Sequence, residues 1–120
     1  MAFKFEKLRV WQIALDYGEK VYQVSLQFPA EEKFNLTSQI RRAADSVALN
    51  ISEGSVGQTN LEFSRFLGYA MRSLAEVVTC LYKAKFRNYL HPEAFEILYN
   101  DAFQLMNQLS ALRNTLRKTK

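Results

Sequence analysis

His91 and Cys80 are the side chains best suited to general-base or nucleophilic work, and each is the single residue of its kind in 120. A general base needs an orienting partner, and a metal site needs several ligands at set spacings. His91 precedes Pro92, the context of a turn and a helix start, and Cys80 has no CxxC or His/Cys cluster around it. No GxGxxG, Walker, GxSxG or HExxH sequence is present. A carboxylate-bridged metal site in a helical bundle takes Glu-x-x-His sets from two helices, which one histidine cannot supply within one chain. The expected catalytic residues, metal ligands and cofactors are therefore none. An enzyme site assembled between subunits is the one enzymatic route left open.

Charge is the second source of chemistry. The formal net charge is +4, and it is concentrated at the ends. Lys4, Lys7 and Arg9 stand near the start, and Arg113, Arg117, Lys118 and Lys120 close the chain without an acid among them. A pole carrying these residues would bind phosphates of RNA or DNA through counterion release, with little sequence preference. The alternative is that basic residues at a helix end complement its dipole and that terminal tails are simply solvated. Arg65, Arg72 and Lys83 fall in a narrow sector opposite the apolar stripe of their helix, with Glu76 among them. Arg72 and Glu76 are placed to pair at i,i+4.

A third constellation is polar but uncharged in part. Gln39, Arg42, Ser46, Asn50 and Glu53 run along one edge of an apolar arc. Such a seam either bonds a neighbouring helix or subunit and fixes register, or forms an ordinary solvated boundary. Leu49 points roughly away from the core, which a subunit interface would explain.

Four amphipathic helices must position these groups, expected at about 8–27, 36–54, 60–87 and 92–117 within one domain of residues 1–120. In the first, Leu8, Trp11, Leu15, Gly18 and Tyr22 make one row, with Ala14, Val21 and Ser25 beside it, and Phe28-Pro29 closes the helix. The second places Leu36, Ile40, Ala43, Val47, Ile51 and Gly54 in one narrow arc and ends in the Ser52–Gln58 stretch with its two glycines. Thr59-Asn-Leu-Glu62 is a capping-box sequence for the third, whose stripe runs from Phe63 to Leu81. The fourth opens at His91-Pro92-Glu93 and keeps a 3,4 spacing from Phe95 through Leu116. Short linkers predict an all-α, antiparallel, up-down-up-down four-helix bundle, which would bring both chain ends and the Ser52–Asn60 connection to one pole. A helical hairpin pair completing its core by dimerising is the other architecture the pattern allows.

Composition is ordinary for a globular protein, with 48% hydrophobic and 23% charged residues. No apolar run nears the roughly 20 residues of a membrane span, and the opening Met-Ala-Phe-Lys-Phe-Glu-Lys has no signal-peptide character. The cytoplasm is the expected address and a membrane is not an expected partner. One cysteine cannot form an internal disulfide. The third helix is richer in apolar residues than one core requires: 16 of 26 residues from Leu61 to Phe86. Some of that surface is available for contact between subunits.

The segment Phe34-Asn-Leu-Thr-Ser-Gln-Ile-Arg-Arg-Ala-Ala44, followed by Ser46 and Asn50-Ile-Ser-Glu-Gly54, resembles the small four-helix-bundle proteins of 23S rRNA intervening sequences. Phe5-Glu-Lys-Leu-Arg-Val-Trp-Gln-Ile-Ala14, Glu62-Phe-Ser-Arg-Phe-Leu67 and Ser73-Leu-Ala-Glu76 are similar to that family too, so the resemblance covers nearly the whole chain. Two positions depart from its pattern. Ala48 stands where proline is frequent, which should straighten the second helix, and Val78 stands where a second glutamate commonly follows Glu76. The resemblance implies a homo-oligomer, typically a pentameric barrel of bundles, without established catalytic activity. A related branch, the accessory variability proteins of diversity-generating retroelements, forms basic pentamers that bind nucleic acid and a reverse transcriptase. This chain's charge is too modest to place it there. The leading expectation is a non-enzymatic oligomer that binds RNA or DNA nonspecifically through Lys4, Lys7, Arg9, Arg65, Arg72, Arg113, Arg117, Lys118 and Lys120. The alternative is a scaffold or accessory subunit that contacts another protein and no nucleic acid.

Overall fold

The computed structural model describes residues 2–118. Four helices account for most of them: α1 (Arg9–Ser25), α2 (Leu36–Ser55), α3 (Asn60–Phe86) and α4 (Pro92–Lys118). Two short 3-10 turns, Lys4–Lys7 and Ala30–Glu32, precede α1 and α2, and no strand occurs among the described residues. The helix boundaries fall within two residues of the spans expected from periodicity and capping. The helices pack in a closed ring, α1 to α2 to α3 to α4 and back to α1, with no close backbone approach between either diagonal pair among the described residues. α2 runs as one helix from Leu36 to Ser55, with Ala48 inside it.

Local chemistry explains the ends. Thr59 Oγ1 accepts from the Glu62 amide at 3.0 Å, as a capping box requires, but the Glu62 carboxylate accepts from the amide of Gln58 rather than from that of Thr59. Asn88 ends α3 in the left-handed region at φ 62, with the Tyr89 amide returning to the Ala84 carbonyl at 2.9 Å. His91 serves the start of α4 through its backbone: its carbonyl accepts from the Phe95 amide at 3.0 Å, while the residue itself is exposed.

Apolar residues of all four helices meet in one core, with Ile40, Val47, Ile51, Leu67, Leu74, Leu81, Leu105 and Leu109 fully buried. The narrow arc expected of α2 is buried throughout. The row expected of α1 is not. Val10, Ala14, Tyr17, Gly18, Val21 and Ser25 face the core, while Leu15 and Tyr22 are exposed and Leu8 and Trp11 are only partly covered. The apolar arc of α1 spans from Ile13 and Val24 on one edge to Leu15 and Tyr22 on the other, wider than one core can cover. The core takes its middle and leaves the Leu15 edge outside. Tyr17 can enter because its hydroxyl donates to the Leu98 carbonyl at 3.0 Å, and burial raises its phenol above the ordinary range.

The α1–α2 and α3–α4 connections are tied together by one carboxylate. Buried Glu32 accepts from the Tyr89 hydroxyl (2.9 Å), an Arg87 guanidinium NH (3.1 Å), the Asn35 side chain (3.0 Å) and the Leu36 amide (3.3 Å). The last of these is an unpaired donor of the α2 N-terminus, where Asn35 offers no side-chain cap. The hydrogen bond from Tyr89 does most to hold the Glu32 carboxyl below its ordinary range, against the opposing effect of burial, and the same bond raises the Tyr89 phenol. A carboxyl lowered in the folded state contributes stability that is complete above its unfolded value of about 4.3 and is lost as pH falls through the folded value. Glu32→Gln is therefore expected to lower Tm at neutral pH and to flatten the acid limb of a Tm-against-pH curve. Parallel curves for the variant and the parent would show that Glu32 carries no such linkage.

Candidate nucleic-acid interface

The arginines of two distant sequence clusters meet along the seam between α3 and α4. On α3, Ser64 is buried and Gly68 has no side chain, which leaves a shelf on the side facing α4. Arg117 lies across that shelf, donating from Nε to Ser64 Oγ at 3.2 Å. One turn earlier on α4, Arg113 is half-buried over Gly68, and a Cβ added there would come within 3.4 Å of its Nη1. The Arg113 Nε is buried without a hydrogen-bond partner. Arg65 and Arg72 are exposed on the outward row of α3 beside this shelf. Among the described residues no carboxylate lies within ion-pair distance of these four arginines. Four guanidinium groups with no internal anion form a local positive field suited to phosphate oxygens.

The expected Arg72–Glu76 pair does not form. Glu76 instead accepts from the Gln39 side chain on α2 at 3.4 Å, and Arg72 has no ion pair among the described residues. The other basic residues sit elsewhere around the same end. Lys4 and Lys7 are exposed on the 3-10 turn that packs against α1 and α2. Arg9 lines a polar pocket of about 200 Å³ between α1 and α4, together with Asp16, Lys20, Asp101 and Gln108. There the Lys20 ammonium is bonded to Asp101 at 3.2 Å, which raises it above its ordinary range. Lys118 is exposed at the end of α4, and Lys120 lies outside the described residues. The pole inferred from the chain ends is thus divided among three sides, and the α3–α4 side gains Arg65 and Arg72.

The polar seam of α2 behaves less uniformly than its spacing suggests. Gln39 reaches α3, as an interhelical seam would. Ser46 Oγ and Asn50 Nδ2 turn back instead to the carbonyls of Arg42 and Ser46 on their own helix, both at 2.8 Å. Arg42 and Glu53 are exposed. Beside that seam, Leu49 and Leu15 rim an apolar groove of about 380 Å³ between α1 and α2, floored by Ala14, Gly18, Ala44 and Ala48. Leu49 is 56% exposed and Leu15 48%.

Cys80 is buried, and desolvation, with the Glu76 charge second, raises its thiol above the ordinary range and so keeps it protonated. Among the described residues no group of three or more His, Cys, Asp or Glu side chains gathers as metal ligands would. No helix among them is long and apolar enough to cross a membrane.

Sequence reasoning missed Ser64, Gly68 and Glu32. Ser64 and Gly68 carry a signal only in retrospect, as small residues one turn apart on a helix otherwise crowded with large ones. Glu32 carries no such signal, since it precedes the first turn of α2 and its Arg87 and Tyr89 partners are remote in the chain.

Comparison with known proteins finds both a family and similar solved structures. A family model described as 23S rRNA-intervening sequence protein matches residues 6–111. Among solved structures, the chain is similar to a protein of unknown function from the S23 ribosomal protein family of Bacteroides thetaiotaomicron VPI-5482. The TM-score is 0.78 at 21% identity, over 87% of this chain and 97% of that one, which speaks to a shared fold. No curated protein matches the chain. Neither description names an enzymatic activity.

Proposed function

The chain belongs to the 23S rRNA-intervening sequence protein family, and from that premise we propose that it is a non-enzymatic helical protein that binds RNA or DNA nonspecifically through the arginine face of α3 and α4. The observation that carries this reading is the convergence of Arg65, Arg72, Arg113 and Arg117 without a carboxylate partner among the described residues. Cations brought together and left unneutralised repel one another, and an anionic partner relieves that cost. Phosphate binding of this kind releases counterions, so log K should fall linearly with log salt. Fluorescence anisotropy with a labelled nucleic acid at increasing salt tests it. A flat response, or no binding at low ionic strength, would overturn the reading.

We read the protomer itself as up-down-up-down. Contacts that support this run in opposite senses along each neighbouring pair: Gly54 meets Phe63 and Phe66 while Gln39 meets Glu76, and Tyr82 meets Phe95 while Ser64 meets Arg117. The groove rimmed by Leu15 and Leu49 favours assembly of several such protomers, five in the reading taken from the family resemblance. It equally suits a scaffold that docks another protein there. Leu49→Glu would place a charge on the groove rim without touching the core, so a self-assembled protein should drop toward the 13.9 kDa of one chain in analytical ultracentrifugation. An unchanged mass would take this groove out of the assembly.

A further inference from the structure

We infer that the α3–α4 seam is a path for single-stranded nucleic acid, with an aromatic ladder that stacks bases at one half and the arginine shelf that holds phosphates at the other. This deepens the nucleic-acid reading above and rests on it. The ladder occupies the part of the seam nearest the α3–α4 connection. Tyr82 stands edge-on to Phe95 at 5.0 Å and to Tyr99 at 6.3 Å, and Phe86 extends it on α3 at 6.2 Å from Tyr82. On α4, Tyr99 stacks with Phe95 at 5.9 Å and with Phe103 at 6.5 Å. Only Phe95 is buried. Phe86 is 78% exposed, Phe103 59% and Tyr82 40%.

The ladder and the arginine shelf lie along the same pair of helices, with Phe103 and Arg113 ten residues apart on α4. From residue 95 to residue 117 the seam runs about 33 Å at the helical rise of about 1.5 Å per residue, a length suited to several extended nucleotides. The outward row of α3 carries Arg65, Arg72 and exposed Lys83 parallel to it, whereas Glu93 and Glu96 open α4 on the other rim. Phosphates would therefore follow the α3 rim while bases lie over the rings. Lys85 sits 4.4 Å over the Phe95 ring, which places a cation within the ladder itself.

Exposed rings discriminate between nucleic-acid forms. A duplex keeps its bases paired and stacked on one another, so the ladder could not reach their faces and the cations alone would act. An unpaired strand offers a π-face at every base, and stacking on aromatic side chains is tolerant of sequence. The charge row running beside the rings favours this occupant over an apolar protein surface, which would bury those cations without partners.

The test is anisotropy with a labelled single strand of about 20 nucleotides and with the duplex of the same sequence, for the intact protein and for Phe86→Ala/Phe103→Ala. Both replaced side chains are exposed, so circular dichroism should be unchanged. The intact protein is expected to prefer the single strand, and the double variant to lose about fivefold or more of that affinity while duplex binding holds. Phe103→Tyr should retain binding, because a ring is restored. Equal or tighter binding of the duplex, or single-strand affinity untouched by the double variant, would overturn the ladder while leaving the general reading intact. A fall in solution mass with unaltered single-strand affinity would reassign the rings to contact between copies. Failure to bind either form would remove the nucleic-acid reading itself.

Discussion

Gly54→Ala is expected to destabilise the protein by about 1–3 kcal/mol, the range for forcing an extra carbon into a packed interface. The Cβ would lie 2.5 Å from the Cβ of Phe66 and 3.0 Å from Cδ1 of Phe63. A Cβ cannot swing away as the tip of a side chain can, so α2 and α3 would have to separate where Gly54 is buried between them. Helix propensity acts in the opposite direction, since alanine is better than glycine inside a helix by up to about 1 kcal/mol. The sign of the measured change therefore decides which effect wins. A loss of about 4 °C or more in Tm is the expected result, and an unchanged or raised value would mean that the helices close without this contact. Gly18→Ala supplies the control. Its Cβ would meet the Ala44 carbonyl oxygen at 3.8 Å and Asp45 Oδ1 at 3.9 Å, ordinary contacts, so that variant should be neutral or slightly more stable.

The contrast between these glycines marks how far sequence reasoning reaches. Gly54 was legible as a member of the apolar arc of α2, because that arc is narrow and its period leaves one solution. Gly18 was legible only as a member of a row in α1 that proved to be the edge of a broader apolar arc. Periodicity locates the centre of a narrow stripe well. When Trp11, Leu15 and Tyr22 extend the stripe on one side and Ile13 and Val24 on the other, it does not say which part faces inward. The partner helices decide, through the Tyr17–Leu98 hydrogen bond among other contacts.

Polar groups are less legible for a different reason. Ser46 and Asn50 have the spacing of an interhelical seam, yet short polar side chains on a helix can bond the carbonyl one turn back, and both do so here. Ser64 and Arg117 stand 53 residues apart in the chain, and nothing in either local context announces the other. The candidate surface was therefore visible as an inventory of basic residues. Its arrangement was not. The supposed pole at the chain ends is divided, and the arginines judged to lie on a separate helix face complete its most concentrated part.

That rearrangement changes which substitutions should matter. Replacing Arg65, Arg72, Arg113 and Arg117 with Gln is expected to reduce nucleic-acid affinity about a hundredfold or more at moderate salt and to make the log K against log salt slope shallower by about 3, from roughly 0.7–0.9 per phosphate contact. Replacing Lys118 and Lys120 should have a smaller effect, because exposed Lys118 lies on a different face of α4 from Arg113 and Arg117. Stability has to be followed alongside binding, since Arg117 is bonded to Ser64 and Arg113 packs over Gly68. Arg113→Met separates the two properties. It keeps the length and apolar packing of the stem and removes a buried Nε that has no partner, so its stability should be unchanged or higher by up to about 1 kcal/mol while binding weakens. If binding and stability fell together in that variant, Arg113 would be holding the helices in register. If the lysine pair outweighed the four arginines, the binding surface would lie at the chain terminus and the α3–α4 face would lose its role.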